Sequence, residues 1–481
     1  MADIFAHGHL CQTTHPFWQH FETFHVLSQP CYQGKYPPGP PLFMALGQVV
    51  TGFPIAGVWI SLAVMIMAVG YAMYAWLPSR WALLGTALVT LRFGVGVDWA
   101  HSYWGGTVAA AGGALVLGSV KWLTARPTAR DGAALGFGLV LLALSRPYEG
   151  LAYSLSPMVF LAWRLCQPWP GRGRLWRAGL PSAAVVIAAG IGWLGYYNWR
   201  VTGFPTTLPY AVYERAYSAT PLFVWQESRS PGPVFRHQEM ARFEREFTIA
   251  GSARTRAGWP RQKLIVLGAA LRFFYLTPLL LLAGVGLIFT RSLWRASLPA
   301  ATVFLPAASL ATVLAASSVA MWSASGRYLA PATVSIFLLV TVGLAGLSHR
   351  RLGPLRSWMA AAVAVIVIVY AASVLLMAAR HAIDLRTSTA WWTAKRDIRE
   401  QLLRTDGADL VFVRYVPSHS TFQEWVYNGS DIDQQPIVWA REIDPESDAR
   451  LRAYFGQRKA WVVEADEAPP RLMSWQRRER E

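Results

Sequence analysis

Charge is scarce in this chain. Of 481 residues only 15% are Asp, Glu, Lys or Arg, and acids are the rarer sign, 27 against 44 bases. Before residue 98 the only acids are Asp3 and Glu22. Cysteine is nearly absent: Cys11, Cys31 and Cys166 form no C-x-x-C and no Cys/His spacing of a zinc site. Five histidines (His7, His9, His15, His20, His25) crowd the N-terminus without H-E-x-x-H spacing, which leaves metal binding there as the weaker alternative. No glycine-rich phosphate loop follows a strand, which argues against a nucleotide-sugar site. There is no internal repeat and no low-complexity tract, and residues 1–25 hold no apolar core of a signal peptide.

What is abundant is apolar and aromatic. Hydrophobic residues make up 54% of the chain, with 23 tryptophans. Several nearly uncharged stretches reach the ~20 residues needed to cross a ~30 Å hydrocarbon core. Trp and Tyr gather at their ends, as interfacial belts do. The pattern is that of a polytopic all-α membrane protein. The net charge of +17 does not indicate nucleic acid, because it is unevenly placed: residues 1–380 hold 29 Lys/Arg against 10 Asp/Glu, and residues 381–481 hold 15 against 17. The basic excess belongs to the membrane part, where loop arginines set orientation.

Ten spans are expected, over 54–77, 81–96, 105–123, 131–145, 150–166, 179–197, 264–290, 296–317, 328–347 and 357–379. One set of connections carries 13 positive residues, from Arg80 through Lys121, Arg126 and Arg130 to Arg350, Arg351 and Arg356. The opposite set carries only Arg146 and Arg327. The positive-inside rule makes the first set cytoplasmic. Residues 1–53, the outer loop 198–263 within the 54–380 membrane domain, and residues 381–481 then lie outside. Past Arg380 the texture changes: strands are expected at Ala408–Val416, Pro436–Glu442 and Lys459–Asp466, with a helix at Ser447–Phe455. That predicts a small C-terminal α/β extracytoplasmic domain.

Polar residues on the outer side are the functional candidates. The span 131–145 is about 22 Å long as a helix, short of a ~30 Å core. The motif Ser145–Gly150 (SRPYEG) therefore starts below the outer surface. Arg146 and Glu149 at that depth either pair with each other as a structural lock or line a polar cavity. Arg92 and Arg272 lie at similar depth, where snorkelling explains either alone. Together they point to an anionic ligand. Tyr103 and Trp104 precede a Gly/Ala-rich helix, and Arg327 pairs with Tyr328 in the last short outer loop. Near the N-terminus, Phe17, Phe21 and Phe24 at i, i+4, i+7 predict an interfacial helix over Thr14–Leu27. "QPCYQGKYPPGPPLF" (Gln29–Phe43) follows, a stiff proline segment that holds Lys35 and Tyr36 over the cavity mouth. Lysine is a good point-charge partner for phosphate. Cys11 and Cys31 share this outer segment, compatible with a disulfide or with two inert thiols. "DID" (Asp431–Asp433) has the form of a metal-binding DxD, but a solvated turn is the simpler reading.

The order of "HFETFHVL…YQGKYPPGPPLFMALGQ", "SYWGG", "SRPYEG", "YNWRVTGFPTTLPY" and "GRYLAP" resembles the GT-C superfamily of membrane glycosyltransferases. The similarity is to the bacterial branch akin to protein O-mannosyltransferases and the aminoarabinose transferase of lipid A. The resemblance implies a multi-pass protein of the bacterial inner (cytoplasmic) membrane, with active face and C-terminus extracytoplasmic. It implies transfer, with inversion, of a hexose or pentose from a polyprenyl-phosphate donor to a lipid, glycan or protein acceptor. Lys35 matches the family lysine that contacts the donor phosphate, and no organic cofactor is implied. The family also carries an acidic motif after its first transmembrane helix, as general base. Asp3 and Glu22 are weak matches to it. The expectation is that a hydrophobic helix bearing that acid stands upstream of Met1, and that the chain as given is inactive without it. The alternatives are a lipid or solute transporter, disfavoured by the absence of repeats and mid-span acids, and a non-catalytic partner in envelope glycan assembly.

Overall fold

The computed structural model describes residues 1–219, 221–227, 229–230, 232–252, 261, 264–265, 268–269, 300–320, 326–348, 355–387 and 391–478. The expected span 264–290 and Arg272 fall almost wholly outside the described residues, as do Ser323–Ser325 of the last outer loop.

The chain is mostly helical, with a small sheet at its C-terminal end. Six stretches among the described residues are long and apolar enough to cross a membrane: Pro54–Trp76, Thr107–Ala125, Arg172–Thr202, Ala301–Val319, Gly326–Leu347 and Ala361–Leu385. The expected spans at 81–96, 131–145 and 150–166 are helical too, but fall outside this set. They correspond to Ser79–Thr90 with a π-helical turn at Leu91–Val95, to Ala129–Ala143, and to Pro147–Cys166.

The helix ends follow local chemistry. After α1 (Ala2–Ala6), α2 (Gly39–Thr51) closes at Gly52, whose φ of 80° is cheap only for glycine. Pro54 then opens α3 (Pro54–Trp76) at a first-turn position where the missing N–H costs nothing. The hairpin of α2 on α3 is tight because two glycines meet. A Cβ on Gly47 would stand 2.0 Å from the Gly57 nitrogen. Helix α4 (Thr107–Ala125) is largely enclosed, packed against α3, α5 (Ala129–Ala143) and others, and only the stretch Gly326–Leu347 is more deeply buried among the six. Its small residues allow that approach. Helix α6 (Pro147–Cys166) starts one turn after α5, again with proline in its first turn.

The C-terminal domain is built on strands β3 (Asp409–Arg414), β4 (Ile437–Arg441), β5 (Lys459–Glu464) and β6 (Arg471–Ser474), in the order β4-β3-β5-β6. The first three are parallel and β6 is antiparallel to β5. The strands and the helix (here Pro445–Tyr454) lie where the Val/Trp/Tyr pattern placed them. Alternate residues face opposite ways along a strand, so the sheet has two cores. Leu410, Phe412, Val438 and Val462 face one side with Leu451 and Phe455 of that helix. Val411, Val413, Trp439 and Val463 face the other, covered by Trp425 and by Ile398 and Leu402 of Trp391–Leu403.

The expected interfacial helix over 14–27 does not form. Only Trp18–Phe21 makes a single 3₁₀ turn, entered where the Phe17 amide donates to the His15 ring. At His25 the backbone takes a positive φ of 64°. The strand pair β1 (Val26–Leu27) and β2 (Gln33–Gly34) follows. The aromatic residues face protein rather than lipid: Phe21 is 3% exposed and belongs to the sheet's first core. The N-terminal segment is therefore a strap laid across the C-terminal domain. Asp3 accepts from the Ser430 amide, His15 meets Asp433 at 2.9 Å, and His20 meets the Arg441 carbonyl at 2.9 Å. Phe21 of the strap and the apolar face of the sheet share one core.

Candidate functional site

The strap delivers Lys35 and Tyr36 directly after β2. The hairpin fixes the backbone, with the Lys35 amide donating to the His25 carbonyl at 3.0 Å. Four residues on, the Gly39 amide donates to the Leu144 carbonyl at 2.7 Å, docking the strap onto the turn that leads into α6. A Cβ on Gly39 would lie 2.7 Å from that oxygen, so the contact needs glycine.

Lys35 is 6% exposed. Its Nζ lies 2.8 Å from Glu214 Oε1 and over three tyrosine rings, with centroids at 4.0 Å for Tyr213, 4.8 Å for Tyr210 and 5.8 Å for Tyr36. Tyr210, Tyr213 and Glu214 share one face of helix α7 here (Pro209–Tyr217), at i, i+3 and i+4. Burial lowers the ammonium's proton affinity, and the Glu214 carboxylate works against that loss. Ring faces attract a cation but cannot neutralise it. His25, beside the lysine and in contact with Tyr36, Trp104 and Tyr213, is driven down to about 3 by burial and by the Lys35 charge, and is neutral at ordinary pH.

A second layer continues from Tyr36. Its ring meets Trp104 edge-on at 5.8 Å, and the Arg327 guanidinium lies 5.6 Å from the Trp104 ring. Arg146 lies 4.5 Å from the centroid of Tyr328, and both act electrostatically on Tyr36. Lys35, Tyr36, Trp104, Arg146, Arg327 and Tyr328 thus form one connected cluster. They come from the strap and from three loops that precede helices of the bundle.

The remaining candidates lie elsewhere. Arg92 is fully buried in the bundle core, 5.4 Å from the Phe93 ring, so the expected convergence of outer arginines does not include it. Tyr103 is half exposed beside Trp104. Glu149 is buried in the first turn of α6, but no ion pair joins it to Arg146, whose guanidinium turns to Tyr328 instead. The structural lock between those two does not form.

Asp3 is occupied by the Ser430 amide and by Gln48 Nε2, both at 2.7 Å; burial pushes its carboxyl up, but these donors hold it below the ordinary range. Glu22 is 5% exposed and is bound by Tyr217 Oη at 2.6 Å and by Arg236 and His237 at 3.3 Å. Burial raises this carboxyl, while His237, Tyr217 and Arg236 outweigh it and hold it low. Tyr217 packs against Tyr213 in a tilted pair, ring centroids 4.9 Å apart, so two tyrosines separate Glu22 from Lys35.

Sequence reasoning missed the most direct partner of Lys35. Glu214 stands 179 positions away, four residues past the quoted stretch that ends at Tyr210. The signal was present as tyrosines at 210, 213 and 217 around one acid, on a nine-residue helix.

Among the described residues no group of three or more His, Cys, Asp or Glu is placed to hold a metal. The N-terminal histidines are spread over different partners. Asp433 of the DID turn binds His15 and, at 2.8 Å, Tyr454 Oη. Cys11 and Cys31 are free thiols, each directed at a backbone carbonyl, of Arg200 and Val201.

A second polar cluster centres on Arg441, 2% exposed. Its guanidinium donates to the Glu22 carbonyl at 2.8 Å and to the Glu424 carboxylate, and lies 3.5 Å from Glu239. It borders a cavity of about 200 Å³ at the carboxyl ends of β3 and β4, lined also by Arg414, Glu442 and Asp448. No protein-family model, no curated protein and no solved structure matches this chain. What its fold and site establish is a helical protein with, among the described residues, six helices of membrane-crossing length and apolarity, a C-terminal sheet domain, and a lysine–tyrosine–arginine cluster beneath the strap.

Proposed function

We propose that this chain is a multi-pass membrane glycosyltransferase of the GT-C type, with about ten spans, in a bacterial cytoplasmic membrane. Its cluster and C-terminal domain face outward, and it moves a sugar from a polyprenyl-phosphate donor to an extracytoplasmic acceptor. The observation that carries the reading is the cluster itself: Lys35, Arg146 and Arg327, drawn from three distant parts of the chain, sit among Tyr36, Trp104 and Tyr328. Cations suit a phosphate, and stacked aromatic rings suit the apolar faces of a sugar or an isoprenoid.

In this reading Lys35 and Arg146 bind the donor phosphate. The acceptor hydroxyl attacks the anomeric carbon, the bond from that carbon to the phosphate oxygen breaks, and polyprenyl phosphate leaves with its charge balanced by the two cations. The hydroxyl proton passes to a carboxylate base. Asp3 and Glu22 remain the strap's two candidates for that base, each held by the partners described above.

The test is binding of a labelled polyprenyl phosphate to the purified protein in detergent, with transfer from polyprenyl-phosphate pentoses and hexoses as the second readout. Lys35→Ala should weaken lipid binding by about 100-fold, the scale of a buried charge-assisted contact. Unchanged affinity in that variant would remove the phosphate assignment. Lipid flux into proteoliposomes without sugar transfer would favour the transporter reading instead.

A further inference from the structure

We propose that Glu214 is the residue by which this site discriminates between two phosphates, favouring the singly charged phosphodiester of a lipid-linked donor over the doubly charged phosphomonoester that remains after transfer. The inference rests on the proposed role of Lys35 and deepens it.

The cage around Lys35 contains one carboxylate and three rings. Glu214 Oε1 takes one N–H of the ammonium at 2.8 Å, and the faces of Tyr213, Tyr210 and Tyr36 surround the rest. A phosphate oxygen that reaches the same Nζ at hydrogen-bond length must then stand roughly 4–6 Å from the Glu214 carboxylate. One anion is accommodated there, because the lysine and the more distant Arg146 compensate it. Each additional negative charge on the phosphate meets Glu214 at short range in a site where Lys35 is almost fully enclosed, and there the repulsion is only weakly screened.

Donor and product differ by that charge. A phosphodiester carries one negative charge at every pH near neutrality. A monoester has a second ionisation near pH 6, so it carries close to two at pH 8. Glu214 thus holds the lysine ready before the donor arrives and disfavours the spent carrier afterwards.

The groups that face Glu214 are Lys35 and Tyr36 from the strap, Tyr210 and Tyr213 on its own helix, and Glu244 of the helix Gln238–Ser252, with Arg146 and Tyr328 beyond Tyr36. His25, also close to the lysine, is neutral throughout the range considered, since burial has lowered it to about 3.

The experiment uses the full chain in detergent and two synthetic lipids, a polyprenyl phosphate and its methyl phosphodiester, in equilibrium binding at pH 8. The wild type should bind the diester about tenfold more tightly than the monoester. Glu214→Gln should close that gap by strengthening the monoester, while the diester moves by less than about threefold. Glu214→Asp should keep the preference, which controls for a variant that merely misfolds. At pH 5.5, where the monoester gains a proton, the wild-type gap should narrow with the diester unchanged. A gap that survives in Glu214→Gln, or equal strengthening of both lipids, overturns the proposal. Lys35→Ala separates the two levels: if it leaves both affinities intact, the phosphate site itself is wrong, and if the wild type binds neither lipid, both readings fall.

Discussion

Arg441 and Lys35 are both buried bases, and their company is opposite. Arg441 stands in the sheet domain among the carboxylates of Glu424 and Glu239 and the carbonyl of Glu22, and every element it touches is thereby tied to the strap. Lys35 stands among three tyrosine rings and in contact with one carboxylate among the described residues, with Glu244 also acting on it electrostatically, and the next basic groups, Arg146 and Arg327, lie against rings as well. Carboxylates close an arginine site to further anions, because its charge is already compensated. Rings leave the charge attractive to a stronger anion while keeping water away. The same burial thus serves cohesion in one region and recognition in the other.

The largest expected effect tests the first half of that contrast. Arg441→Ala removes the cation between Glu424 and Glu239, leaving two carboxylates uncompensated and the Glu22 carbonyl without its donor. Breaking a buried charged network costs about 3–5 kcal/mol. Thermal unfolding in detergent should show that loss, with faster proteolysis of the strap. A change below about 1 kcal/mol would mean the cluster does not hold the strap.

Gly39→Ala should come next, at about 1–3 kcal/mol. Its Cβ would stand 2.7 Å from the Leu144 oxygen, and backbone on both sides has little room to move. Since that contact seats Lys35, lipid binding should weaken along with stability. Stability lost with lipid affinity unchanged would show that the dock does not position the lysine.

Arg146→Ala sharpens the second half. It should weaken polyprenyl phosphate binding about tenfold, or ~1.4 kcal/mol, with the unfolding temperature nearly constant, because this arginine's contact is the face of Tyr328. Arg146→Lys should recover only part of the affinity, since an ammonium lacks the planar fork and stacks less well. Full recovery by lysine would reduce Arg146 to a point charge.

How much of this was legible before the fold was seen depends on the range of the determining contact. Three of the four strands of the C-terminal domain were readable because Val occurs in each of them and their partners lie within about one domain's length; β6, with the sequence RLMS, carries no such pattern. Helix starts at Pro54 and Pro147 were readable from the prolines themselves. The strap was misread for a physical reason. Phe17, Phe21 and Phe24 carry the spacing of an amphipathic helix whether their partner is lipid or a protein surface. Here the surface is supplied by Phe412 and Phe455, some 400 positions later. Lys35 was legible as a lone cation in a stiff segment, but its carboxylate partner was not, because nothing local links positions 35 and 214. Arg92 shows a different limit: its position along a helix can be read from the sequence, but its burial in the bundle core cannot.

The smallest effect concerns pH and the seam between the two regions. His20 is 2% exposed, its ring on the Arg441 carbonyl. Burial lowers its proton affinity below the ordinary value, outweighing the pull of that carbonyl and of Asp444; Asp448 also lies 3.8 Å away. The unfolded chain keeps an ordinary histidine near 6.5. The unfolded state therefore binds the proton more readily, and stability that is complete above about pH 6.5 is lost as pH falls through that value. Between pH 7 and pH 5.5 the loss from one such group is at most about 1.3 kcal/mol. Hydrogen exchange over residues 14–25 should accelerate on acidification, and His20→Gln, which can still donate to the Arg441 carbonyl, should remove that acceleration. An acid response that persists unchanged in His20→Gln would remove it from this residue. The Lys35 cluster provides the internal control, because His25 is already neutral across this range. Exchange in residues 209–217 should therefore stay flat while the strap loosens.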